Sequence, residues 1–173
     1  MAYIFMQAGL GEASHFNLST PFNEFMYTIV MAYGAVLLVA GIGVFGYAAW
    51  ADHDANLSPA LRLGTVLGFG LSFLLTLLVA GYIGGNGSSL VGTPSADHSS
   101  LQVFGWSMEV GDLRPAHFLA LHAMQALPLF GAFLDHFAAP KRLALVWFGA
   151  TAYALATAGL FFQALSGRPF IAV

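Results

Sequence analysis

Histidine is the residue type in this sequence best able to do chemistry, because the chain contains six histidines and no cysteine. The lack of cysteine excludes disulfides, cysteine-ligated zinc, iron–sulfur clusters and c-type haem attachment. A metal ion or cofactor would have to be held by imidazole, carboxylate, thioether or backbone groups. The positions of the histidines therefore decide which kinds of site the chain can build.

Polar residues gather in the stretch of sequence that surrounds His122. Gln125 follows His122 by three residues, so both side chains share one face of a helix. Pro128 lacks an N–H and frees the carbonyl of Met124. We expect this imidazole, amide and carbonyl to form a polar pocket inside the helical bundle. His117 precedes His122 by five residues, a rotation of about 140°, so the two rings cannot both face one ligand squarely.

A metal or b-type haem site near the outward membrane surface is the leading hypothesis for this stretch. Its ligands would be His122 together with His15 or His117, because the segment around His15 can fold over the bundle. Gln125 would line the cofactor pocket. Neighbouring polar groups commonly orient imidazole ligands, and those expected around this site are Asp112, Arg114 and Trp106.

Four apolar segments must position these residues. They span residues 25–50, 61–84, 115–135 and 143–165, each long enough to cross a hydrocarbon core of roughly 30 Å as a helix. Of the 173 residues, 58% are hydrophobic and 8% are charged, against about 25% charged in soluble domains. The sequence therefore predicts an all-α integral membrane bundle, a single transmembrane domain over residues 1–173. A net charge of −3 excludes a basic surface for nucleic acid.

The basic residues predict how the bundle is oriented in the membrane. Three of them lie on one predicted side and two on the other: Arg62, Lys141 and Arg142 against Arg114 and Arg168. Basic residues favour the cytoplasmic side. Both termini and the long loop at residues 85–111 are then expected to face outward, as in a protein of a bacterial inner membrane.

Two other functions fit the same sequence. Gly64 and Gly68 form a G-x-x-x-G pair that lets helices approach closely in lipid, and no complete catalytic set is visible. The chain could thus be a structural or accessory subunit of a membrane complex, or a homo-oligomer, without a cofactor. Alternatively, Asp112 and the histidines could act as acid, base or zinc ligands in a membrane-embedded hydrolase or lipid-modifying enzyme. The remaining histidines fall at helix ends or in the long loop: His53, His136 and His98.

Several short motifs lie along nearly the whole chain. They are Ser14-His15-Phe16-Asn17, Gly105-Trp106-Ser107, the run from Gly111-Asp112-Leu113-Arg114 to His117-Phe118, Leu121-His122, Gln125 and Leu127-Pro128. Together they resemble a family of uncharacterised bacterial multi-pass membrane proteins. The family members are longer, so the resemblance implies that this chain is a shortened member, with residues 1–8 as the tail of a preceding helix. It implies no activity but directs attention to the same polar residues.

Overall fold

The computed structural model describes residues 2–52, 54–97 and 99–171. A short helix, α1 (Ala2–Leu10), comes first. A long helical segment follows, made of α2 (Pro21–Phe25), a π-helical turn (Met26–Met31) and α3 (Ala32–Ala51). The remaining elements are α4 (Pro59–Asn86), β1 (Leu90–Val91), β2 (Gly111–Asp112), α5 (Arg114–His136) and α6 (Arg142–Leu165).

The long helices confirm the predicted fold class. In the part of the chain that the structure describes, four helical segments are long and apolar enough to cross a membrane: Pro21–Ala51, Pro59–Asn86, Arg114–His136 and Arg142–Leu165. The largest difference from the predicted bounds is at the first segment, which begins at Pro21 instead of residue 25. Thr20 explains the earlier start, because its hydroxyl accepts a hydrogen bond from the backbone N–H of Asn23 and Pro21 suits the first helical position. Apart from two short strands, the protein is a helical bundle suited to a lipid bilayer.

The chain divides into two compact units, residues 1–41 and 42–173. In the first unit, a buried cluster of three polar side chains ties α1 to α2. Gln7 Nε2 donates to Asn23 Oδ1 at 2.9 Å and to the hydroxyl of Tyr3 at 3.1 Å, and that hydroxyl donates to Asn23 Oδ1 at 3.2 Å. Buried polar groups are costly unless they are hydrogen-bonded. The cluster therefore fixes the position of α1 on α2.

In the second unit, α4 and α5 run antiparallel and approach closely at three glycines. Gly64 faces the backbone carbonyl of Leu127, Gly68 faces that of Ala123, and Gly131 of α5 faces that of Ala60. A methyl group at any of the three positions would collide with these backbone atoms. The close approach predicted from the G-x-x-x-G pair is therefore confirmed, and it is what brings α4 and α5 together.

Helix α5 also accepts hydrogen bonds from both of its neighbours. Ser72 of α4 donates its hydroxyl to the carbonyl of Leu121 at 3.0 Å, and Tyr153 of α6 donates to the carbonyl of Leu119 at 2.9 Å. The face of α5 toward these helices is lined with small or buried residues: Ala116, Ala120, Ala123, Leu127 and Gly131. This buried face of α5 determines which of its side chains point away from the bundle.

A single carboxylate joins three helix ends at one end of the second unit. Asp135, near the end of α5, accepts hydrogen bonds at Oδ2 from the backbone N–H groups of Ala60 (2.9 Å) and Leu61 (2.8 Å). Its Oδ1 lies 3.0 Å from Nε of Arg142 at the start of α6. The carboxylate thus caps the N-terminus of α4, where the exposed N–H groups favour negative charge. Arg62 extends this junction by donating to two carbonyls at and just after the end of α3.

Candidate functional site

The loop between α4 and α5 is an ordered polar structure at the other end of the second unit. β1 and β2 pair antiparallel, with Leu90 opposite Asp112, and an isolated bridge joins Ser100 to Ser107. Leu113 occupies the N-cap position of α5. Two-residue strands leave no periodic signal in a sequence, so this small sheet was not expected.

Asp112 holds this loop in place. Its side chain is fully buried and accepts hydrogen bonds from the backbone N–H groups of Ser107 (2.8 Å) and Arg114 (2.9 Å). The Arg114 guanidinium binds both carboxylate oxygens, with Nε 2.9 Å from Oδ1 and Nη2 2.5 Å from Oδ2. Arg114 Nη2 also donates to the carbonyl of Gly105 at 2.7 Å. Since both oxygens already accept several bonds, the carboxylate has a structural role and offers no free lone pair to a substrate or metal.

Ser107 and Trp106 belong to the same structure. The Ser107 hydroxyl accepts hydrogen bonds from the backbone N–H groups of Glu109 (3.2 Å) and Val110 (3.1 Å), and the residue is 1% exposed. Trp106 stacks on Phe104, with ring centroids 4.6 Å apart. A catalytic serine has to reach its substrate and a neighbouring base. Ser107 is enclosed by the loop, so the geometry does not favour the hydrolase hypothesis through this residue.

His117 is half-buried in the first turns of α5. Its Nδ1 is buried and has no hydrogen-bond partner among the described residues, and the same holds for the hydroxyl of Thr76 in α4. Ser72 contacts Leu121, so the antiparallel register places Thr76 level with the first turns of α5. His117 Nδ1 and the Thr76 hydroxyl therefore lie at the same height along the two helices. A water or polar ligand there could form hydrogen bonds with them.

His122 and Gln125 lie on the outer face of α5, and both are exposed. The prediction that they line a pocket inside the bundle is therefore wrong. The reason is that the small residues of α5 face α4, which places His122 and Gln125 on the opposite side of the helix. His122 Nδ1 lies 2.6 Å from the carbonyl of Phe118, and the two rings stack at 3.9 Å. The Gln125 amide makes no hydrogen bond within the described residues.

An exposed stripe runs along α5 and contains these two residues. We call it the α5 seam and define it as Phe118, His122, Gln125, Leu129 and Phe133. The three apolar members are 40%, 70% and 58% exposed, in chain order. Lipid hydrocarbon offers no hydrogen bonds, so a polar group facing it near mid-membrane is costly. Gln125 lies at the middle of this 23-residue helix, so its exposed amide is the costly polar group of the seam.

Of the remaining histidines, the structure describes His15 and His136. His15 is exposed in the first unit, with Nδ1 3.0 Å from the hydroxyl of Ser14. Its pairing with His117 or His122 stays a prediction. His136 is exposed at the end of α5, with its ring 4.8 Å from that of Phe137. The two other histidines, His53 and His98, lie outside the described residues.

The described part of the chain contains no preassembled metal centre. Among residues 2–52, 54–97 and 99–171, no group of three or more histidine, aspartate or glutamate side chains could hold a metal ion. A metal site with His15, His117 and His122 as its ligands therefore gains no support from the structure. A haem differs, because it can be held by one or two imidazoles.

Comparison with known proteins adds no assignment. No family model matches the chain, and no curated protein or solved structure matches it. The resemblance to bacterial multi-pass membrane proteins stays a prediction. The structure by itself defines the protein as a helical membrane bundle with a polar loop at one end and a mixed polar and apolar seam on α5.

Two polar groups that have structural roles were not identified from the sequence. One is Asp135, and its signal was available: α4 has no acidic residue in its first turn, so its N-terminus needs a carboxylate from elsewhere. The other is the cluster of Tyr3, Gln7 and Asn23. Its signal was the spacing of Tyr3 and Gln7, which places both on one face of a helix.

Proposed function

We propose that this protein is a subunit of a membrane assembly and that the α5 seam is its contact surface. The observation that carries the proposal is the exposed amide of Gln125, which bonds to none of the described residues and lies at the middle of a helix long and apolar enough to cross a membrane. The proposal corresponds to the accessory-subunit hypothesis.

The rest of the chain supports a structural rather than a catalytic role. The carboxylates of Asp112 and Asp135 are engaged in hydrogen bonds and ion pairs that hold helix ends and the α4–α5 loop. The Ser107 hydroxyl is enclosed. The seam offers polar groups to a partner, because an amide can form hydrogen bonds between helices in lipid.

The test compares the size of the native assembly with and without the seam's polar groups. Extracted from membranes with a lipid-retaining polymer, the wild-type protein is expected in particles heavier than one 18.3 kDa chain. The double variant His122→Leu, Gln125→Leu should reduce the assembled fraction by about tenfold, since it removes the groups able to bond a partner helix. Mass photometry of the particles measures this.

A matched control removes a different exposed polar group. Thr151 of α6 is exposed, but its hydroxyl already donates to the carbonyl of Trp147 in its own helix at 2.9 Å. Thr151→Val is therefore expected to leave the assembly unchanged. Particles that hold a single chain in the wild type, or an unchanged assembly in the double variant, would contradict the proposed function.

A second candidate function is haem binding through His122. The observation in its favour is the hydrogen bond from Nδ1 to the Phe118 carbonyl, because imidazole ligands usually donate their other N–H to a carbonyl or carboxylate. That bond would orient the ring and leave Nε2 for iron, with the second axial ligand coming from a partner.

An absorption spectrum of the purified protein tests this candidate. A Soret band is expected from the wild type, and it should be lost in His122→Ala but kept in His136→Ala, which removes another exposed histidine of the same helix. A haem-free wild-type protein that is folded and assembled would rule the candidate out.

We also propose an orientation for the helices. Arg62, Asp135 and Arg142 meet at one end of the second unit, and the excess of basic residues there supports a cytoplasmic location for it. The α4–α5 loop, Arg114 and both termini would then face outward from a bacterial inner membrane.

A further inference from the structure

We infer that the partner at the α5 seam is a second copy of this chain. In this dimer, His122 of each copy accepts a hydrogen bond from Gln125 of the other. The inference rests on the proposed function, because it identifies the occupant of the contact surface proposed there.

The first argument is the hydrogen-bonding capacity of the two side chains. The Phe118 carbonyl can only accept, so the 2.6 Å contact places the proton of the His122 ring on Nδ1. In the neutral ring, Nε2 then carries an unpaired acceptor. Gln125 carries two N–H donors and one acceptor. Each copy of the seam therefore carries both a hydrogen-bond donor and a hydrogen-bond acceptor. Two copies can bond to each other through the same surface.

The second argument is depth in the membrane. Two copies inserted in the same orientation place each residue at the same depth, and a two-fold axis normal to the membrane sets the same patch against itself. His122 and Gln125 are three residues apart, about 4.5 Å along the helix axis. A glutamine side chain can span that offset, so each copy can donate once and accept once at the axis.

The third argument is the pattern of the apolar residues. The five seam residues follow one another at intervals of four, three, four and four residues. Intervals of three and four residues keep side chains on one face of a helix, where they can meet a neighbouring helix. Phe118 lies on one side of the polar pair, and Leu129 and Phe133 lie on the other, all exposed. These side chains would shield the interhelical hydrogen bonds from lipid.

Cysteine cross-linking in membranes tests the dimer directly, because the natural chain has no cysteine. Leu129→Cys places one thiol on the seam, and Leu155→Cys places one on α6 at nearly equal exposure, 70% against 68% for the natural leucines. Under mild oxidation, the seam variant is expected to give a disulfide-linked dimer at least about tenfold faster than the α6 variant. Adding Gln125→Leu to Leu129→Cys should lower that rate by about tenfold, since both symmetric bonds are lost.

The outcomes separate the two proposals. Equal cross-linking of Leu129→Cys and Leu155→Cys overturns the second copy as the partner, and no effect of Gln125→Leu overturns the bond between Gln125 and His122. If the wild type is still found in particles larger than one chain, the proposed function stands and the partner is a different protein. A wild type that is monomeric in native particles overturns both.

Discussion

Gly64→Ala is expected to lower the free energy of unfolding by about 2–3 kcal/mol. The added methyl group would meet the backbone carbonyl of Leu127 and the Cα of Pro128. Neither atom belongs to a flexible side chain, so α4 and α5 would have to separate. Separation would weaken the contacts that replace the hydrophobic effect between helices in lipid.

A matched substitution on the same helix controls for the chemistry of the change. At Gly70, also in α4, an added methyl group would meet nothing within 4 Å. Gly70→Ala should stay within about 0.5 kcal/mol of the wild type. Unfolding by a denaturing detergent in mixed micelles, followed by circular dichroism, measures both variants. Equal stability of the two would show that α4 and α5 do not pack through Gly64.

Asp112→Ala is expected to cost about 3 kcal/mol and to release the α4–α5 loop from the end of the second unit. The substitution removes the partner of the Arg114 guanidinium and the acceptor for the buried N–H of Ser107. Arg114 keeps 40% of its side chain exposed, so water compensates part of the loss. The buried backbone N–H of Ser107 cannot reach water, so its lost acceptor is not replaced.

Limited proteolysis of the protein in detergent measures the release of the loop. Cleavage between α4 and α5 should become at least about tenfold faster in Asp112→Ala, because the loop opens more often. Asp97 lies in the same loop and is exposed, so Asp97→Ala is the control and should be cleaved at the wild-type rate. If Asp112→Ala were cleaved at the wild-type rate, contacts other than those of Asp112 would hold the loop in place.

The membrane architecture was predictable from the sequence because one physical requirement dominates it. A helix in lipid needs about 20 apolar residues to cover the hydrocarbon thickness, and nothing else in a sequence resembles four such segments. The bounds followed to within a few residues. The start at Pro21 differed because Thr20 caps the helix, and a cap is a local signal that hydropathy does not register.

The orientation of α5 was not predictable in the same way, because its sequence carries two regular stripes. One contains His122 and Gln125, and the other contains small residues such as Ala123 and Gly131. If burial of polar residues decided the orientation of α5, the first stripe would face the bundle. If close packing against the glycines of α4 decided it, the second stripe would face the bundle. The structure shows that close packing decides. In lipid, contact between helices depends on how near their backbones can come.

The three-helix junction at Asp135 has a consequence for the order in which the protein is made. The bonds from this carboxylate to the start of α4 join residues 75 and 74 positions apart in the chain. At about 5–20 residues per second, the ribosome adds Asp135 about 4–15 s after the residues that it caps. Until then the N–H groups of Ala60 and Leu61 lack this acceptor. The junction between α4, α5 and α6 therefore closes only after α5 and the start of α6 have been synthesised.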